Sequence, residues 1–195
     1  MATPPIESAL YKGKVKVRFF PDSHLYYVNG KRTPGVTSAI GIIDKSRALV
    51  PWATGLYTEM LEPHIGQSLT EEMLLRGEFA HEERRQAAAD IGTRIHDYCE
   101  QHIKHRLKLG GAPEMPEERE VQIGVNSFLE WESENKVRYL SSERVVYSKK
   151  HNYIGTLDIE AVVNNKLCLI DLKSSNSLYN SVRLQTAAYV KADEE

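Results

Sequence analysis

Cysteine is nearly absent from this chain: Cys99 and Cys168 are the only two. So few excludes a disulfide-stapled scaffold, and their separation excludes the paired spacing of a structural zinc site. Long apolar runs are missing too. No stretch approaches the roughly 18 consecutive apolar residues of a membrane-spanning helix, so no membrane partner is expected. The opening MATPPIESALYKG carries neither the apolar centre of a secretory signal nor an arginine-rich transit pattern, which makes a cytoplasmic location the expectation. Neither sign of charge dominates. Lys and Arg number 25 against 27 Asp and Glu, for a net charge of −2. That balance does not announce a nucleic-acid binder.

What is present is an ordinary globular composition with uneven charge. The 195 residues, 41% of them hydrophobic, suit one domain with a substantial core. Residues 1–50 hold eight Lys and Arg against three Asp and Glu, while residues 51–100 hold four against ten. The early cations (Lys12, Lys14, Lys16, Arg18, Lys31, Arg32, Lys45, Arg47) read either as a phosphate-contacting surface or as a solvated hairpin face.

In chain order, Val15 to Thr37 reads as a hairpin whose strongest turn signal is Asn29-Gly30. Pro34-Gly35 interrupts it, and Thr37 or Ser38 is expected to cap a short helix from about Ala39. Pro51 to Leu109 has helical tendency, broken near Pro63–Gly66. One helix starts after Ser68 or Thr70, Gly77 is a weak point in it, and a second helix spans about Ala87 to Leu107. The basic run Lys104–Lys108 precedes Gly110-Gly111, and an acidic connector follows. Val121 to Val137 returns to helical spacing, with Ile123, Phe128, Leu129 and Trp131 as expected core residues. Ser142 to Ser148 reads as a strand, and Leu178 to Lys191 as a final helix capped from Ser174-Ser175-Asn176-Ser177.

The densest chemistry lies in Tyr153–Lys173, YIGTLDIEAVVNNKLCLIDLK. Ile154 to Val163 and Leu167 to Leu172 read as strands joined at Asn164-Asn165, two residues that tolerate the positive φ of a tight hairpin turn. In that register Asp158 faces Asp171 across the pair, with Cβ atoms about 4.5–5.5 Å apart. Lys173, two residues on, points to the same face. Opposed carboxylates repel unless a cation lies between them, which makes a divalent metal their natural third party. With Lys149–Asn152 as the preceding loop, Glu143 also comes opposite Asp158. There it serves a metal or its water, or else guards a strand edge. Cys168, between two leucines on the other face, reads as a small buried hydrophobe.

Gly155-x-x-Asp158, Asp171-x-Lys173 and Gln185-x-x-x-Tyr189, with Gly92-Thr93-x-x-His96 upstream, resemble the PD-(D/E)XK nuclease superfamily. The likeness is to its RecB-like exonuclease branch, which includes phage-encoded enzymes and the mitochondrial genome maintenance exonuclease type. Pro34–Ile40 and Leu49–Ala53 resemble the N-terminal part of the phage members, where Tyr26, Tyr27 and Trp52 would stack on bases if they are not core residues.

The resemblance implies an α+β (α/β) fold with a restriction-endonuclease-like core, a mixed β-sheet flanked by helices. It implies one nuclease domain, 1–195, with an N-terminal hairpin and helical region over 1–85 and the catalytic core over 86–195. Relatives continue past the Gln–Tyr helix, so the C-terminal elements are expected to be missing.

The same resemblance implies a metal-dependent deoxyribonuclease. His96, Asp158, Asp171 and the carbonyl of Leu172 would hold one or two Mg²⁺ or Mn²⁺ ions. Lys173, Asp171, Asp158 and Glu143 would be catalytic. Gln185 and Tyr189 would line the site and meet the substrate; Arg183, outside the family pattern, is near enough in sequence to reach a phosphate, and Glu100 is either a partner for His96 or merely solvated. Without the family pattern His96 reads as a surface histidine. Two cysteines cannot supply the four ligands of the iron–sulfur relatives, so no such cluster is expected. The expected partner is DNA, single-stranded or with a free end, in a bacterial or phage-infected cell. An exonuclease, a structure-specific endonuclease and an inactive DNA-binding module on the same fold all remain compatible with these motifs.

Overall fold

The computed structural model describes residues 3–175 and 177–195. Its first part is an antiparallel meander: β1 (Ile6–Leu10), β2 (Val15–Phe20), β3 (Leu25–Val28) and β4 (Lys31–Thr33). Asn29 and Gly30 do form a turn, at φ 48° and 79°. They join β3 to the three-residue β4, however, while β2 and β3 are joined by a 3-10 turn at Pro21–Ser23 with left-handed His24 after it. The single expected hairpin is therefore three strands, and β1 before it makes the sheet four-stranded. β1 lacked a sequence signal because it is an edge strand whose alternation is almost wholly exposed.

A short helix α1 (Val36–Ile40) follows, capped at Gly35 rather than at Thr37 or Ser38. Extended Gly35 already offers its carbonyl to Ala39 N–H at 2.9 Å, which starts the helix earlier. Next come α2 (Ser46–Leu61) and α3 (Glu71–Arg106). Thr70 caps α3, its hydroxyl accepting from Met73 N–H at 3.3 Å. The two helices expected over 71–107 are one, 36 residues long and so about 54 Å. Gly77 is not a weak point but a crossing. A Cβ there would lie 2.8 Å from the Tyr57 ring, so its absence lets α2 pack closely on α3. Trp52 is not a core residue: α2 buries none of its side chains, and Trp52 lies exposed, edge-on to His81.

Helix α4 (Arg119–Glu134) buries Val121, Val125 and Phe128, one stripe at helical spacing. Leu129 and Trp131 flank that core, but Ile123 falls outside the stripe and is exposed.

The second sheet is β5 (Val137–Ser148), β6 (Tyr153–Val163) and β7 (Lys166–Ile170), in that order and antiparallel. Among the described residues the expected mixed sheet is not formed. Strands joined by tight turns must run antiparallel, and the parallel contact present is an isolated bridge, Gly35 to Ile154. β5 starts earlier than expected, passing a register shift at Tyr139/Ser141. β7 ends at Ile170, two residues short. Cys168 is half-buried rather than buried, whereas Cys99 is enclosed completely.

The last helix, α5 (Asn180–Asp193), has Tyr179 at its N-cap and no side-chain cap. The expected serine cap lies outside the helix, and its Asn176 lies outside the described residues.

The architecture is therefore α+β with two antiparallel sheets. Cys99 and Ile103 of α3, Phe128 of α4, and Tyr139, Ile159 and Ala161 of the second sheet form one core cluster. Val36, Val146, Leu157, Tyr189 and Ala192 form another under α5. Among the described residues no helix is long and apolar enough to cross a membrane.

Candidate functional site

The β6–β7 hairpin takes the register read from its sequence. Asn164 and Asn165 turn at φ 50° and 66°, Val163 pairs with Lys166, and the ladder runs to Ile159 opposite Ile170. Asp158 and Asp171 are the next positions, where the ladder opens. There the Leu172 N–H donates to Asp158 Oδ2 at 2.7 Å, so a carboxylate closes the pair in place of a backbone carbonyl.

The Asp171 side chain is 3% exposed. Its Oδ1 accepts from Gln185 Nε2 at 3.0 Å, and the same amide nitrogen donates to the Tyr189 hydroxyl at 3.0 Å. Its Oδ2 forms an ion pair with Lys173 Nζ but has no hydrogen-bond donor in normal geometry. Lys173 thus sits on one carboxylate oxygen while Gln185 fixes the other.

His96 comes from α3, its Nδ1 3.8 Å from Asp158 Oδ2. Two glycines permit the close packing around this pair. A Cβ on Gly92 would lie 2.7 Å from Ser174 Oγ, so the missing side chain lets α3 rest on the residue after Lys173. A Cβ on Gly155 would lie 2.6 Å from the Tyr189 ring and 3.2 Å from Val36, so that glycine lets α5 and α1 close on β6. The glycines of both sequence motifs are therefore packing positions for the side chains they precede.

On the other side of β6, Ser142 pairs with Ile159 and Arg144 with Leu157, which puts Glu143 opposite Asp158. Glu143 holds a left-handed φ of 50°, rare for a residue with a side chain.

The electrostatics are those of crowded acids. Burial, then the charge of Asp171, raises the Asp158 pKa, against the Leu172 N–H, His96 and Lys173, which lower it. Glu143 is pushed up to about 7 by burial of its carboxyl and by Asp158, Glu100 and Asp97, partly offset by Lys104. Burial, chiefly, raises the Tyr189 hydroxyl to about 12, which keeps it protonated beside Gln185.

The residues fit a hard divalent cation in kind. Two adjacent carboxylates, a backbone carbonyl at Leu172 and an imidazole would be its donors, with Asp171 Oδ2 already carrying the Lys173 ammonium. Among the described residues no three His, Cys, Asp or Glu side chains form a ready-made cage. A one- or two-carboxylate site completed by waters is the usual manner of holding Mg²⁺.

Other expected residues are elsewhere. Arg183 is exposed, two positions from Gln185 and so about 200° around the helix from it. Glu100 pairs with Lys104 and does not orient His96. Tyr26 is buried with its hydroxyl 3.1 Å from Thr156 Oγ1 and presents no stacking face. Lys16, Arg18 and Arg32 lie on the exposed side of the first sheet, Arg18 and Arg32 flanking Tyr27 in register.

Sequence reasoning missed His102 entirely. Its Nε2 lies 2.9 Å from Glu132 Oε2, between Tyr98 and the edge of Phe128. Its only sequence signal is its place one position before the buried Ile103, and the site does not use it.

No protein-family model matches the chain, and no curated protein matches it.

Proposed function

We propose that this protein is a metal-dependent DNA exonuclease with a PD-(D/E)XK-type, restriction-endonuclease-like core, cutting phosphodiester bonds from the ends of single-stranded or resected DNA. The observation that carries this reading is the convergence of Asp158, Asp171 and Lys173 at the open end of one hairpin, with Gln185 and Tyr189 bracing Asp171.

Asp158, Asp171, His96 and the Leu172 carbonyl would hold Mg²⁺ or Mn²⁺. A bound ion of this kind acidifies a water and neutralises charge growing on the phosphate. Lys173 orients or deprotonates the attacking water and stabilises the negative charge of the phosphorane-like transition state. Gln185 holds Asp171 in one rotamer, so the carboxylate needs no reorganisation as charge develops. Glu143, opposite Asp158, accepts a proton from the water or helps hold the ion.

The test is digestion of end-labelled linear single-stranded, linear duplex and circular single-stranded DNA with Mg²⁺, Mn²⁺ or EDTA, beside Asp171→Ala. Loss of linear but not circular DNA, dependent on metal and Asp171, is expected. Cleavage of circles would replace the exonuclease with an endonuclease. Binding without cleavage, under every metal condition, would leave a DNA-binding module.

A further inference from the structure

The end of α3 and the start of β5 enclose an open cavity of about 440 Å³, away from the carboxylates. Its wall carries four basic side chains, His105, Arg106, Lys108 and Arg138, beside Val137 and Tyr139. Helix electrostatics explain part of this, because Lys104, His105 and Arg106 occupy the last turn of α3, where cations suit the dipole. They do not explain Lys108, which follows the C-cap residue with a left-handed φ of 64°. Nor do they explain Arg138, which comes from β5.

Among the described residues neither Lys108 nor Arg138 has an ion-pair partner, and Arg106 reaches Glu132 only at 3.5 Å. Like charges gathered in one notch repel, and an anion between them removes that cost.

The notch also lies at a defined distance from the carboxylates. From His96 to Arg106 is ten residues of helix, about 15 Å. From Glu143 to Arg138 is five residues of strand, about 17 Å. The two elements agree. A stacked strand advances about 3.4 Å per nucleotide, so this spacing is roughly four to five nucleotides.

We propose that the Lys108–Arg138 notch is a second phosphate-binding site, which grips the backbone of the strand engaged at Asp158 and Asp171 about four nucleotides away. The identity of the ligand as a nucleic-acid strand rests on the nuclease reading; the affinity of the notch for phosphate does not.

Binding in EDTA separates the two. Fluorescence anisotropy would follow labelled deoxythymidylate dimer and octamer on wild type, Lys108→Gln/Arg138→Gln and Arg138→Lys, across a salt series. Thermal unfolding would establish that the variants fold. The octamer is expected to bind the double variant roughly tenfold more weakly, with the salt slope smaller by about 1.4 for two lost contacts on a single strand. The dimer is expected to change little, and Arg138→Lys to keep the slope.

An unchanged octamer slope, or equal losses for dimer and octamer, would overturn the notch while leaving the nuclease reading untouched. Wild type that binds inorganic phosphate through these residues, but no octamer, would overturn the strand as ligand and the nuclease reading with it.

Discussion

Asp171 is held at both oxygens, by Gln185 at Oδ1 and by Lys173 at Oδ2, so its neighbours separate chemistry from positioning. Lys173→Ala is expected to lower cleavage by at least about 10²-fold, while Mn²⁺ affinity by titration calorimetry stays near wild type. Near-normal turnover in that variant would remove Lys173 from the mechanism.

The crowded acids make a pH prediction. Asp158 and Glu143 have raised pKa values in the fold. Between their ordinary and raised values the folded chain holds more protons than the unfolded one, and stability falls as pH rises. Metal-free protein is therefore expected to be most favoured, as far as these groups contribute, below about pH 4. That contribution is lost as pH climbs through about 7, the Glu143 value. Asp158→Asn keeps an acceptor for the Leu172 N–H and removes one charge. It should raise stability in EDTA at neutral pH by up to about 1 kcal/mol, or roughly 2–4 °C in melting temperature. A melting temperature in EDTA that is flat from pH 4 to 8, or lowered by Asp158→Asn, would contradict the repulsion.

Strands β6 and β7 and helix α5 act together because Gly155 leaves room for Tyr189. In Gly155→Ala the new Cβ would enter the Tyr189 ring, and overpacking of this kind costs about 1–3 kcal/mol. Since Tyr189 shares its hydrogen-bond donor with Asp171, the same substitution is expected to lower cleavage although it touches neither DNA nor metal. Unaltered cleavage with reduced stability would make Tyr189 a packing residue only. The hairpin was legible because its signals are local: two asparagines at positive φ, β-branched strands and a fixed counting register. The continuity of α3 was not legible. Gly77 carries the cost of a helical glycine, and its compensation, the close approach of Tyr57, comes from another helix.

The whole molecule is joined through β6. Ile154 is fully buried among Val15, Val17, Tyr26 and Val28 of the first sheet, and its N–H donates to Pro34 O at 3.1 Å. Tyr11 OH donates to Tyr147 O at 2.5 Å, and Tyr26 OH meets Thr156. Both sheets should therefore unfold in one calorimetric transition. Ile154→Ala is expected to lower stability by about 2–5 kcal/mol without splitting it; two transitions would show that the sheets fold independently. Metal binding at the proposed site would act on the same equilibrium. If the site binds Mn²⁺, saturation at a hundredfold excess over its dissociation constant should add about 2.7 kcal/mol, and Asp171→Ala should erase that gain.

Side-chain alternation and turn chemistry alone paired Asp158 with Asp171 and Glu143 with Asp158, because a strand's period of two leaves no freedom once the turn is fixed. Helical spacing likewise put Gln185 and Tyr189 on one face. Nothing local could show that Gly92 seats α3 on Ser174, that Arg183 turns away, or that Ile123 misses the α4 stripe. Nor could it bring Lys108 and Arg138 to one notch. Those are contacts between elements distant in the chain, decided by which surfaces exclude water together, and they exist only once the sheets and helices have packed.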